Sequence, residues 1–244
     1  MNSTQTANLL AGAASVASIA MWLAPIQAIW LAKDSIYHTQ SSSKVSTAFG
    51  FVAGAVQCTL WVMYASTRLE DMTIPLLVNL FGGLLNLSFV MCYWIYSVGD
   101  QRTKVFWHVT GLCPALVLGV GVWYFDSENV LVGYIAVVLN VLMYFGPLAA
   151  AGEVVKKRNN QGMILPQLAL TVLCGLLWFV YGWYIADIPV MIPNAIGTVF
   201  GVLQLALYFW AKRAHERDLH CELHQVSIES GGGGGEGGDR GIGE

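Results

Sequence analysis

The chain has 244 residues, of which 56% are hydrophobic and only 11% charged, with a formal net charge of −3 and a mean hydropathy of +0.58. A soluble domain carries about a quarter charged residues, so the composition excludes a water-soluble enzyme and assigns the protein to a lipid bilayer. The few basic residues serve membrane topology, and no nucleic-acid partner is expected.

Seven apolar stretches are long enough for the ~20 residues that a helix needs to cross hydrocarbon. They run over 9–32, 45–66, 73–97, 105–125, 130–152, 163–186 and 189–211. Each is continuously apolar rather than alternating, which argues against a barrel, and only helices then satisfy the backbone in lipid. The expected fold class is therefore all-α integral membrane with seven transmembrane helices. No basic segment precedes the first stretch, so it reads as the first helix and not as a cleaved leader.

The connections alternate sides. One side receives Lys33, Lys44, Arg102, Lys104, Lys156, Lys157, Arg158, Lys212, Arg213 and Arg217, and the other receives only Arg68. Basic loops stay in the cytoplasm, which predicts an extracellular N-terminus and a cytosolic C-terminus.

The spans carry one pattern twice. Pro25 in Ala-Met-Trp-Leu-Ala-Pro is matched by Pro147 in Leu-Met-Tyr-Phe-Gly-Pro, 122 residues on. Trp61 and Tyr64 of Trp-x-x-Tyr are matched by Trp178 and Tyr181 at an offset of 117, and Asn79 of Asn-x-x-Gly by Asn194 at 115. Tyr93 and Tyr208 each follow fourteen residues after those asparagines. Two three-helix units joined by an odd linker helix give a 3+1+3 parallel repeat of triple-helix bundles, a layout that describes a transporter and not an enzyme. The organisation is then a short extracellular N-terminus (1–8), a first repeat (9–98), a linker helix with its loops (99–128), a second repeat (129–211) and a polar cytosolic tail (212–244). That tail ends in a Gly/Asp/Glu tract with nothing to bury and is expected to be disordered. Neither the five cysteines nor the His215, His220, Cys221 and His224 group of the tail reads as a metal site or a disulfide framework, and no cofactor is expected.

No Asp, Glu, Lys or Arg lies inside any span. Ion-coupled carriers place such a group in the membrane because coupling needs a charge that changes partner. His108, near the start of the linker helix, reads as an interfacial residue. The pattern therefore points to an uncharged solute moving down its own gradient. Asn79 and Asn194, at matching places, are costly in hydrocarbon unless paired; together they offer donors and acceptors for hydroxyls near the midplane. Trp61 and Trp178 offer flat apolar faces with one N–H each. Amides plus aromatic platforms without charge suit a sugar ring. Asn86 and Asn140 have no matched partner and read as packing residues. Pro25 and Pro147, with Pro166 at the start of the sixth span, are candidate hinges.

Here the chain resembles the SWEET family of sugar transporters, from about residue 17 to residue 211. The resemblance rests on Asn-Val-Leu-Met-Tyr-Phe-Gly-Pro at 140–147, the basic loop at 156–158, Pro166, Trp-Phe-Val-Tyr-Gly at 178–182, Asp187 and Ile-Pro-Asn-Ala-Ile-Gly at 192–197. It implies bidirectional, proton-independent facilitated movement of mono- or disaccharides by homo-oligomers. It makes Asn79 and Asn194 the sugar-binding asparagines, Trp178 the stacking aromatic with Trp61 at the symmetry-related pocket position, Tyr64 and Asp187 the outer gate, and Pro25, Pro147 and Pro166 three of four hinge prolines. The fourth is missing, since no proline occurs between Pro25 and Pro75. Two facing tryptophans should narrow the pocket towards a hexose such as glucose. The plasma membrane is the expected location, with an organelle membrane as the alternative. Pro166–Gln167 is also similar to PQ-loop carriers, which would make the chain a proton-coupled carrier of amino acids or other small solutes.

Overall fold

The structure, a computed structural model, describes residues 3–38, 45–97, 99–126, 130–158, 160 and 163–231, the side chains of 24–47, 101, 145–150, 222 and 225–231 excepted. Among the described residues the protein is entirely helical: α1 (Ser3–His38), α2 (Val45–Ser66), α3 (Leu69–Tyr96), α4 (Asp100–Phe125), α5 (Val130–Met143), α6 (Phe145–Lys157), α7 (Leu165–Tyr184) and α8 (Ile188–Gly231). Six apolar segments, in α1, α2, α3, α4, α7 and α8, are long enough to cross a membrane, and α5 is a shorter apolar helix.

The fifth span is divided into two helices, in the span that Pro147 is expected to interrupt. α5 stops at Met143, Tyr144 stands between, and α6 begins at Phe145. The cause is Pro147, which has no N–H for the Met143 carbonyl. A second proline acts likewise in α3. Met72 has non-helical φ −113° and ψ 17°, three residues before Pro75, and the Asp71 carbonyl, which Pro75 cannot reach as a donor, accepts the Tyr181 hydroxyl of α7 instead. Pro166 is the second residue of α7, where a missing N–H costs no intrahelical bond, so it starts this helix rather than bending it. Pro25 falls within α1, with its side chain outside the described residues.

α3 packs against both α1 and α2, and α8 against α5, α6 and α7; α1 also meets α7, α2 meets α5, and α4 lies against α2 and α5. α1 turns Ala7, Ala11, Ala14, Ala17 and Ser18 inward, small residues that let helices approach closely in lipid. A core of Val56, Leu60, Tyr64, Met72, Val132, Ala136, Tyr181 and Val190 ties α2, α3, α5, α7 and α8 together. Large apolar side chains such as Leu77, Leu84, Met91, Val117, Leu118 and Phe125 face outward, as a lipid solvent requires.

The polar tail is also more ordered than its composition predicts, because α8 continues to Gly231. Ala211 and Ala214 are fully buried, α6 packs against α8, and the ion pairs Lys212–Glu216 (4.0 Å) and Arg158–Asp218 (3.8 Å) line the extension. Helix formers with i,i+4 charge pairs sustain a helix even without a wide apolar stripe. Residues 232–244, the Gly-rich part of the predicted tail, lie outside the described residues.

Candidate functional site: a cavity lined by repeat-matched residues

A cavity of about 350 Å³ lies between α1, α2, α3, α5, α7 and α8. Its walls follow the sequence repeat. Asn79 and Asn194, and Trp61 and Trp178, all line it, as the sequence predicts. So do further matched pairs, among them Trp22 with Tyr144, Met21 with Met143, Ser18 with Asn140, and Gln57 with Cys174. No Asp, Glu, Lys, Arg or His is among the described lining residues.

The two asparagines are held alike. Asn79 Nδ2 donates to the Pro75 carbonyl at 2.8 Å and Asn194 Nδ2 to the Val190 carbonyl at 2.7 Å, each four residues back on its own helix. One donor of each amide is thereby fixed, and each Oδ1 has no hydrogen bond among the described residues. The glycine three residues on serves the same purpose in both copies. A Cβ at Gly82 would run into the Trp22 ring, and one at Gly197 into the Tyr144 hydroxyl. Only hydrogen at these positions lets an aromatic ring lie against the helix beside the asparagine. Tyr144 also donates to the Pro193 carbonyl at 3.1 Å.

The Trp-x-x-Tyr pairs repeat in geometry as well as in spelling. The Trp61 and Tyr64 rings meet edge to face at 5.7 Å and 76°, and Trp178 and Tyr181 at 5.5 Å and 82°. The tryptophan partners differ. Trp178 Nε1 donates to Ser18 Oγ at 2.9 Å, and Ser18 Oγ lies 3.2 Å from Cys174 Sγ. Trp61 Nε1 makes no such bond among the described residues.

Beyond the tryptophans stands the predicted gate pair. The Tyr64 hydroxyl donates to Asp187 Oδ2 at 2.7 Å, with Tyr64 fully buried and Asp187 5% exposed. Asp187 Oδ1 accepts the Val190 N–H at 3.0 Å and so caps the start of α8. Arg68 completes the cluster. Its Nη1 is 3.1 Å from Asp187 Oδ2, and its guanidinium lies 4.9 Å from the centre of the Tyr64 ring. The sequence marked Arg68 only as the lone basic residue on its side. A second cavity of about 550 Å³ begins past this cluster, lined by Arg68, Glu70, Asp71 and Asp187. Met72 lines both cavities.

One sequence reading changes. Asn140, read as a packing residue, lines the cavity; Asn86 does pack, buried with its Nδ2 on the Gly82 carbonyl at 2.8 Å. Gln57 and Cys174 went unremarked, although each precedes a site tryptophan by four residues and therefore shares its helix face. Trp22 and Tyr144 lie inside the matched proline motifs, which was signal enough to find them. His108 packs edge-on against Phe49 at 5.4 Å, away from the cavity lining.

An all-helical integral membrane protein, with a cavity among its helices that no Asp, Glu, Lys, Arg or His lines among the described residues, is the class that fold and site define. The family model described as "Sugar efflux transporter for intercellular exchange" matches residues 8–101 and 130–216, and the chain belongs to that family, the SWEET transporters. It is 28% identical to the sugar transporter SWEET1 of Dictyostelium discoideum, over 80% of this chain and 88% of the relative. It is 26% identical to the bidirectional sugar transporter NEC1 of Petunia hybrida, over 84% of this chain and 76% of the relative. Among solved structures, a eukaryotic SWEET transporter determined at 3.7 Å superposes with a TM-score of 0.75 at 18% identity, covering 86% of this chain and 99% of that one. The last likeness bears on the fold alone.

Proposed function

We propose that the protein is a facilitative carrier that moves a sugar, with a hexose such as glucose favoured, in either direction down its gradient by alternating access. The observation that carries the reading is the shared cavity of Asn79, Asn194, Trp61 and Trp178. Tryptophan faces stack on the CH face of a pyranose and amides hydrogen-bond its hydroxyls, so the site accepts a neutral polyol without needing a counter-charge. About 350 Å³ is at the small end for organic-ligand pockets, which run from roughly 300 to 1,000 Å³. That size favours a monosaccharide over a disaccharide. The names of the relatives, a sugar transporter and a bidirectional sugar transporter, support the same substrate class and reversibility. The proton-coupled alternative is not favoured, because such carriers place an acidic or basic group in the membrane and the spans hold no Asp, Glu, Lys or Arg.

The mechanism follows from a 3+1+3 reading of the helices. Pairing α1 with α5, α2 with α7 and α3 with α8 converts the α1–α7 contact into the α5–α2 contact, which is what a pseudo-twofold axis requires, with α4 as the odd link. Tyr64 and Asp187 then close the extracellular side, and Pro147 and Pro25 serve the inner movement, while Pro166 fixes the start of α7. The basic loops put the C-terminus in the cytosol; the plasma membrane and a homo-oligomeric assembly complete the proposal.

The test is uptake of labelled glucose and sucrose by the purified protein in proteoliposomes, with and without an imposed proton gradient. Equilibrating glucose entry that ignores the gradient is the expected result. Gradient-dependent uptake, or no sugar flux from folded protein, overturns it.

A further inference from the structure

The two repeats close the outer end of the central cavity by different means. At the 115-residue offset that matches Asn79 with Asn194, the match of Asp187 is Met72. Asp187 takes the Tyr64 hydroxyl on its carboxylate. Met72 has only a thioether to offer Tyr181, the match of Tyr64, and a thioether is a weak acceptor. The Tyr181 hydroxyl donates to the neighbouring Asp71 carbonyl instead. What Met72 supplies is apolar bulk. Its side chain is 1% exposed and belongs to one core with Tyr64, Tyr181 and Val190, against which Trp61 and Trp178 also pack. Alone among the described lining residues, Met72 borders both the central cavity and the cavity of about 550 Å³ beyond the gate.

The backbone places a joint at the same residue. Met72 has non-helical φ −113° and ψ 17° inside α3, and residues 69–72, the turn before Pro75, form part of the outer cavity wall. The Met72 N–H donates to the Arg68 carbonyl at 2.8 Å, which ties this turn to the arginine of the gate cluster, while Pro75 donates nothing back to it. An unbranched side chain with three rotatable bonds repacks readily when such a turn shifts. From this we infer that Met72 is a gate residue: an apolar plug that divides the central cavity from the outer one and withdraws before a solute passes. Outer closure is then half polar latch, at Tyr64 and Asp187, and half plug. The inference rests on the alternating-access reading above. The bland role, a core methionine, predicts a loss of stability with the cavity no more accessible than before.

The experiment follows the reaction of a cysteine placed in the central cavity, Met21→Cys, with a membrane-impermeant methanethiosulfonate. The reagent is added to sealed membranes on the face where Glu70→Cys reacts, and labelling of the native cysteines in the wild type is subtracted. Truncation removes packing from the closed state, so Met72→Ala should speed labelling about tenfold or more. Met72→Leu, which restores apolar bulk, should return the rate to that of Met21→Cys alone. Val132→Ala truncates an equally buried core residue that lines neither cavity, and should lower the unfolding temperature without speeding labelling. An unchanged rate in Met72→Ala, or equal acceleration by Val132→Ala, overturns the inference. If Met72→Ala does not fold, Met72→Val, also shorter than methionine, carries the same comparison. Glucose exchange is measured on the same membranes: its absence from folded wild type overturns the carrier reading, while the labelling rates still decide whether Met72 is a plug.

Discussion

Tyr64 and Asp187 are joined by a 2.7 Å hydrogen bond that links the end of α2 to the start of α8, and the same carboxylate caps α8 and pairs with Arg68. One buried aspartate thus does three jobs, and each partner satisfies a different lone pair. Because the Tyr64 and Arg68 contacts converge on Oδ2, the three residues should not behave independently. In a double-mutant cycle of Tyr64→Phe with Asp187→Asn, each single change should lower uptake and destabilise by about 1–2 kcal/mol, the cost of a buried partner left unpaired. The double variant should be little worse than either single one. Full additivity in thermal unfolding would count against a shared network.

Tyr181 makes the corresponding reach in the other direction, and its acceptor exists because of a proline. Pro75 cannot donate to the Asp71 carbonyl, which instead takes the Tyr181 hydroxyl. Tyr181→Phe should therefore cost about 1 kcal/mol in the wild type and less in a Pro75→Ala background, where a backbone N–H becomes available to the same carbonyl. Equal costs in both backgrounds would show that the carbonyl's freedom has another origin.

How much of this was legible beforehand follows a physical divide. Periodic, local features were readable: the apolar spans, the charge asymmetry, and the two copies of Trp-x-x-Tyr and Asn-x-x-Gly, because motif spacing fixes which residues share a helix face. The break at Tyr144 was half legible, since Pro147 announces a disruption but not its exact turn. What escaped reading depends on contacts between distant segments. Arg68 meets Asp187 across 119 residues, and no local pattern marks that. Asn140 looked unmatched because its repeat counterpart is a serine, and a search for like residues passes over unlike pairs. The extension of α8 past Ala211 brings Asp218 within 3.8 Å of Arg158, a meeting of distant segments that composition alone does not reveal.

The paired asparagines give the most direct functional test. Asn79→Ala and Asn194→Ala remove amides that bond only within their own helices, so folding should survive while uptake falls about tenfold or more, in line with a site built to hydrogen-bond its ligand. Surface-normalised uptake and melting temperature separate the two effects. A fall in melting temperature that matches the loss of uptake would reduce the asparagines to packing groups.

Gly82 and Gly197 test whether the aromatic lids are part of the site. Alanine at either position puts a methyl group into Trp22 or Tyr144, and overpacking of this kind costs about 1–3 kcal/mol. Both rings line the cavity, so displacement should also change the pocket. Gly82→Ala and Gly197→Ala should each lower the unfolding temperature and weaken sugar competition, whereas Gly50→Ala, which meets nothing within 4 Å, should leave competition unchanged. If only stability moves, the rings merely pack. If competition moves at unchanged stability, the rings yield easily and touch the sugar directly.

The charge pattern makes a last prediction about pH. No Asp, Glu, Lys, Arg or His lines the central cavity among the described residues. The ion pair of Asp187 and Arg68 lines the second cavity and not this one. Between about pH 5.5 and 8 only histidine ordinarily changes charge, and His108 packs beside Phe49 on α4, outside the described cavity lining. Glucose exchange at equal pH on both sides of the vesicle should therefore vary less than about twofold across that range. His108→Gln should leave the profile flat. A steep profile abolished by His108→Gln would mean that α4 takes part in the transport cycle, and a steep profile that persists would count against simple uniport.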